Sequence, residues 1–351
     1  MFRDKSTIIL GAGASKEVNL PTGYELKSII SSLLHYEFDS LGTKQKGDED
    51  LLSSMRIYAK DYVNTQDIYH SLLKAAEHIS DALPQVNSID TFLDMHRDNE
   101  FIQMVGKWSI VRSILSAEEK SHLFIPPGKN ENPASRKLLE STWYNEFIKV
   151  LTARCTKENV KERLSRLNII IFNYDRCFEH YLFYSLQNCY AFDSDEAAEL
   201  IKGMDIYHPY GTVGNLPWYE RENSIEFGGS VHPGLLPELA HLIKTFTEGT
   251  DPDSSQIESI RQAILESSIV VFLGFSYGKE NIDLIETGSQ HPERNAVQYF
   301  GTAKGLSDFD CSSKSSDLVR IADALHKKII LDNQASCVGL FQKYSTALSL
   351  N

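Results

Sequence analysis

The sequence predicts an α/β protein: a Rossmann-like, mostly parallel sheet covered by helices, with a large helical insertion after the first β-α unit. Three observations carry that prediction. The chain opens on a short β-branched run, Thr7-Ile8-Ile9-Leu10, which enters the turn Gly11-Ala12-Gly13-Ala14-Ser15. A strand that feeds a glycine-rich turn and then a helix is the first unit of nucleotide-binding α/β folds. Further apolar, β-branched runs recur after residue 165 with helical stretches between several of them, the pattern of parallel strands joined by crossover helices. Between these two regions the apolar residues fall at three- and four-residue spacing, and β-branched runs are rare.

The elements follow in order. Strand 7–10 leads through the glycine turn to a helix over 23–34, set up by Pro21. Helices are expected within 51–55, 68–82, 101–114 and 143–151, broken by the loop from Pro126-Pro127-Gly128 to Pro133. Strands return at 168–172, 204–207, 268–274, 296–301 and 328–331. Helices at 178–187, 255–266, 317–326 and 337–348 complete the alternation. Residues 1–35 and 165–351 are therefore read as one nucleotide-binding domain, and 36–164 as a helical insertion.

Composition excludes several classes. The 351 residues carry 35 Lys and Arg against 48 Asp and Glu, a net charge of −13, with a pI near 5.3. Such a chain lacks the positive field that phosphate neutralisation requires, so direct nucleic-acid binding is not expected. At 42% hydrophobic and 24% charged residues the composition is globular. The five cysteines, Cys155, Cys177, Cys189, Cys311 and Cys337, are scattered and form no C-x-x-C pair. That argues against a disulfide scaffold and a structural zinc module, and predicts reduced, buried thiols in a cytoplasmic protein without a metal. No apolar run reaches the roughly 20 residues that span a bilayer, and the N-terminal apolar stretch is too short for a signal peptide. Arg154, Lys157, Lys161, Arg163 and Arg166 interleave with Glu158 and Glu162, which reads as a solvated helix face with i,i+4 pairs.

Four motifs carry chemistry. In the first turn, Gly11 and Gly13 suit close approach to a pyrophosphate, yet Lys16 stands where a dinucleotide fingerprint has its third glycine. A dinucleotide site and a purely structural turn are both open to it. Phe172-Asn173-Tyr174-Asp175 ends a strand, where side chains of α/β sheets face the ligand crevice. Asn173 suits sugar hydroxyls, and Asp175 suits either an amide ligand or the capping of the next helix. His208, in Tyr207-His208-Pro209-Tyr210-Gly211, sits on constrained loop backbone and is a candidate base near neutral pH, or a packed residue. The strand 270–273 ends in Gly274-Phe275-Ser276, which offers N–H groups and a hydroxyl to a phosphate or ribose, or simply a helix cap.

In this order, the four motifs resemble the sirtuin family, and more closely the sirtuin-like NAD-hydrolysing domains of bacterial antiphage defence systems. The resemblance covers about residues 5–35 and 165–335. Within the insertion, Asn87-Ser88-Ile89-Asp90-Thr91-Phe92-Leu93 is similar to a segment of these domains. The resemblance implies that Gly11, Ala12, Gly13 and Ser15 hold the NAD⁺ pyrophosphate, and that Gly274 and Ser276 line the phosphate and adenosine-ribose side. It implies that Asn173 holds the nicotinamide ribose and orients water, that Asp175 faces the carboxamide, and that His208 acts as base on the ribose hydroxyls. For Asp90 it leaves site lining, packing and capping open, outside the catalytic set.

Deacylating sirtuins carry two cysteine pairs for zinc, absent here, and a Thr-Gln where this chain has Ile171-Phe172. The expected activity is therefore that of an NAD⁺ glycohydrolase, with NAD⁺ as substrate and ADP-ribose and nicotinamide as products. Its expected role is the NAD-depleting effector of an antiphage, abortive-infection system. Control would come from homo-oligomerisation or from a partner such as an ATPase or Argonaute-like chain, contacted by the insertion. The alternatives are a sensor that binds NAD⁺ or ADP-ribose without turnover, and a protein deacylase or ADP-ribosyltransferase.

Overall fold

The structure is a computed structural model that describes residues 5–129, 131–249, 256–286, 297–321 and 327–348. Six strands form one sheet: β1 (Ser6–Leu10), β2 (Leu167–Ile171), β3 (Asp205–Tyr207), β4 (Ile269–Leu273), β5 (Val297–Thr302) and β6 (Lys327–Asp332). All pairings are parallel and the order is β3-β2-β1-β4-β5-β6. This is the doubly wound Rossmann-like arrangement, and its order reverses at β1, which pairs with β2 on one side and β4 on the other. In register, Ile9 lies between Ile170 and Phe272.

The strands are apolar on both faces because both faces are covered. Ile9, Ile170, Val270, Phe272 and Tyr299 point into one core, and Ile8, Leu10, Ile169, Ile171, Val271, Leu273 and Phe300 into the other. Among the described residues, twelve longer helices supply the cover: α1 (Gly23–Leu34), α2 (Glu49–Lys60), α3 (Thr65–Ala82), α4 (Ile89–Met95), α5 (Glu100–Glu119), α6 (Trp143–Thr152), α7 (Cys177–Tyr190), α8 (Ser194–Lys202), α9 (Ile257–Glu266), α10 (Lys279–Ile285), α11 (Asp308–Ile321) and α12 (Cys337–Lys343). The first core takes α1 to α5 and α9 to α11, and the second takes α6, α7, α8 and α12. The segment between α1 and β2 thus serves both layers. Trp143 at the start of α6 stacks on Phe178 of α7 and Phe341 of α12, with interplanar angles of 3° and 17°.

Local signals explain where the site-bearing helices begin. Thr22 and Glu25 form a reciprocal capping box that starts α1 just after Pro21. Ser88 caps α4 by accepting from Thr91 N at 3.0 Å, which puts Asp90 in the first turn.

Three local expectations change. The stretch after α1 contains a small antiparallel hairpin, Glu37–Phe38 with Lys44–Lys46, because Asp39 accepts from Leu41 N and Thr43 N and closes a turn. Helix α11 starts at Asp308 rather than 317, since Ser307 Oγ accepts from Asp310 N at 3.1 Å. Of the cysteines, all unpaired, only Cys177 and Cys337 are buried, while Cys189 is exposed. Ser255, Ala296 and residues 322–326, which fall in expected elements, lie outside the described residues. Among the described residues, no helix is long and apolar enough to cross a membrane.

Candidate functional site

The two glycine turns that leave β1 and β4 are packed against each other, backbone on backbone. Gly11 N donates to Leu273 O at 2.9 Å and Gly13 N to Gly274 O at 3.0 Å. A Cβ at Gly11 would lie 2.5 Å from Gly274 O, and one at Gly274 would lie 2.0 Å from Ala14 N. Gly274 also has φ near +57°, a region that L side chains avoid. These glycines are required first by the contact of the two turns. The N–H groups of Gly11 and Gly13 are engaged within the protein, so a ligand meets the surface of this paired turn rather than their donors. The helical turn after Gly11 is a single one, Ala12–Ser15.

Above the paired turns lies a cleft of about 860 Å³ at the carboxyl ends of β1, β2, β4 and β5, where the strand order reverses and where α/β sheets bind ligands. Of the residues singled out by sequence, Gly11, Ala12, Gly13, Asn173, Gly274 and Ser276 line it. Asn173 is buried, and its Nδ2 donates to Gly11 O and Ser15 Oγ, both at 3.1 Å. Its Oδ1 is buried and has no protein partner, an orphan acceptor at the edge of the cleft.

Ser15 and Asp175 lie behind this wall, both buried and neither lining the cleft. Asp175 Oδ1 accepts from Cys177 N at 3.1 Å in a short turn that leads into α7, whose N-cap is Arg176. Burial raises its pKa, opposed by hydrogen bonds from Cys177 and Ser15. Ser15 therefore joins Asn173 to Asp175 in a buried polar chain under the floor.

His208 is set apart from these residues. Pro209 and Gly211 shape a tight turn in which Gly211 N donates to His208 O at 3.0 Å and Gly211 takes φ near +73°. The turn sends its two aromatic side chains in different directions. His208 Nε2 meets Glu179 Oε1 of α7 at 2.6 Å in a separate small pocket of about 70 Å³. Tyr210 enters the large cleft, packs edge-on against Phe172, and donates to Asn281 Oδ1 at 2.6 Å. Among the described residues, no histidine lines the large cleft.

Sequence reading missed much of the cleft wall. Tyr210 and Phe275 belong to motifs already marked, but which residue of a motif faces the ligand is decided by the turn. Asp90 lines the cleft from α4, and its Oδ1 accepts a hydrogen bond from Tyr174 Oη. The surrounding protein strips water from this carboxyl and raises its pKa, a shift that the Tyr174 hydrogen bond opposes. Glu17 accepts from Trp143 N at 2.7 Å and Val338 N at 2.9 Å, so its carboxylate closes the N-termini of α6 and α12. Cys337 also lines the cleft, but burial pushes its thiol up to about 12, so it is no nucleophile near neutral pH. Lys16, Lys304 and the largely exposed Tyr24 stand at the same cleft.

Arg176 follows the Asn173 motif directly and was not singled out. Its guanidinium forms a fully buried two-point ion pair with Glu118 of α5, at 2.5 and 3.1 Å, and donates to Ile225 O at 2.6 Å and Asn215 O at 3.2 Å. The pair fastens the long helix α5 to the turn that carries Asn173. Among the described residues, no group of three or more His, Cys, Asp or Glu is placed to hold a metal ion. Compared with protein-family models and with curated proteins, the chain matches none of them.

Proposed function

We propose that the large cleft binds NAD⁺ and hydrolyses its nicotinamide–ribose bond. The observation that carries the reading is convergence. Residues far apart in sequence, Gly11 to Gly13, Asn173, and Gly274 with Ser276, meet at one cleft where the sheet order reverses. The cleft is large enough for a small-molecule ligand, and combines aromatic surface from Phe172, Tyr210 and Phe275 with polar and charged groups of both signs, among them Lys16, Asp90 and Lys304. Cleaving the bond passes through an oxocarbenium-like state, which asks for a fixed ribose, a held leaving group and nearby negative or hydrogen-bonding groups. Asn173 lines the cleft, and its buried Oδ1 has an open acceptor position that a water or a ribose hydroxyl entering beside it would fill. In the cell, the activity would deplete NAD⁺ as the effector of an antiphage system, restrained by self-assembly or by a partner chain.

The test is nicotinamide release from NAD⁺ by the full chain, alone and with the product of the neighbouring gene. Asn173→Ala should lower turnover at least about 100-fold. His208→Ala, in its separate pocket, should leave turnover within about 10-fold when the fold is intact, an order-of-magnitude allowance for indirect effects. A wild-type chain that never consumes NAD⁺ under either condition ends this reading.

A second reading rests on the absence of a histidine from the cleft lining among the described residues. A site without such a base suits a sensor that binds NAD⁺ or ADP-ribose and does not turn it over. Calorimetric binding of either ligand with no nicotinamide release would select it.

A further inference from the structure

The cleft contains a carboxyl group that the sequence reading left outside the reaction. Asp90 sits in the first turn of α4, far from Asn173 in the chain, yet both line the same cleft. The link between them is Tyr174. It follows Asn173 directly, it is buried, and its hydroxyl donates to Asp90 Oδ1.

The other acids at the cleft are differently engaged. Glu17 is held by two helix N-termini, Asp94 accepts from Thr247 Oγ1 at 2.5 Å, and Glu280 is exposed on the first turn of α10. Asp90 alone is fixed by a buried phenol among aromatic walls. The neighbouring Tyr210 hydroxyl is turned to Asn281, at 2.6 Å, and leaves Asp90 to Tyr174.

We propose that Asp90 is the catalytic carboxylate of this cleft, taking the place that a histidine base would otherwise fill. The inference rests on the hydrolase reading above. The scissile C–N bond breaks with its electron pair going to the nicotinamide nitrogen, which loses its positive charge. The Asp90 carboxylate faces the positive charge that develops on the ribose. Water adds to the anomeric carbon, and its proton passes to Asp90 and then to solvent, so that ADP-ribose, nicotinamide and one proton are formed. Tyr174 is a positioning residue: its hydrogen bond fixes the carboxylate and favours the ionised form.

The experiment compares wild type, D90N and Y174F in the full chain, reading nicotinamide release against pH and the affinity for ADP-ribose by calorimetry. D90N should lower kcat at least about 100-fold while ADP-ribose affinity stays within about 3-fold, since the variant keeps size and shape. Y174F should move the acidic limb of the pH–rate profile to higher pH, because the lost hydrogen bond had favoured ionisation. A purely structural Tyr174 would not move that limb. A hydrolysing wild type whose D90N variant stays within about 10-fold in kcat overturns this inference alone. A wild type that binds ADP-ribose and releases no nicotinamide overturns both this inference and the reading beneath it.

Discussion

Single residues decide what the glycine and histidine motifs mean. Gly274 meets Gly13 and Ala14 at distances that exclude any side chain. Gly274→Ala should therefore cost roughly 2 kcal/mol or more, through the clash and the positive φ together. Urea unfolding measures this, and a loss below 0.5 kcal/mol or so would show that the two turns can separate freely. Asp90 makes a prediction of the opposite sign. Its folded pKa is raised by desolvation, so its contribution to stability is complete in acid and is lost as pH rises through the raised value. Asp90→Asn should stabilise the protein at pH 8, with the gain shrinking toward pH 4, as urea unfolding at the two pH values would show. A variant less stable than wild type at pH 8 would contradict this assignment of the carboxyl.

At the scale of elements, the strands were readable because each is a short β-branched run bounded by turn residues. Strand β1 was expected from 7 and begins at Ser6, and β4 lies within the expected run. The hairpin after α1 was not readable, since its strands are two and three residues long and carry no period. The basic stretch behaves partly as expected: Arg166 pairs with Glu162 at 2.5 Å. Arg163 instead donates to Leu151 O and Ala153 O at the end of α6, satisfying carbonyls that a helix end leaves open. The buried Arg176–Glu118 pair ties α5 to the turn before α7. Glu118→Ala leaves an arginine buried without its counter-charge and should cost about 3–5 kcal/mol. Thermal unfolding tests it, and a change under 1 kcal/mol or so would mean that Arg176 finds water or another acid.

For the whole molecule, pH should act through the buried His180. Its ring stacks on Phe227 at 4.2 Å between centroids, beside the Arg176 charge. Burial first, then that charge, lowers its pKa from 6.5 to about 3. The unfolded chain therefore binds a proton that the folded one refuses. The His180 contribution to stability is complete above 6.5 and is lost as pH drops toward 3, by an amount on the order of a few kcal/mol. His180→Phe, a planar ring that can keep the stack, should flatten this acid loss in melts from pH 7 to 4. An unchanged slope would place the acid sensitivity elsewhere, for example in the carboxylates.

Sequence alone determined the fold class and most of the sheet, because apolar period and turn chemistry are local properties that survive without knowledge of neighbours. It also marked the turns that gather at the cleft. What required the folded chain was the direction of each side chain. The turn at His208 places Tyr210 in the cleft and His208 beside Glu179, Asp175 closes the turn before α7, and Asp90 arrives from α4 to meet Tyr174. Those outcomes depend on backbone dihedrals and on contacts between residues up to 84 positions apart. No local pattern encodes them, because the energy that selects them comes from packing and polar satisfaction across the whole core.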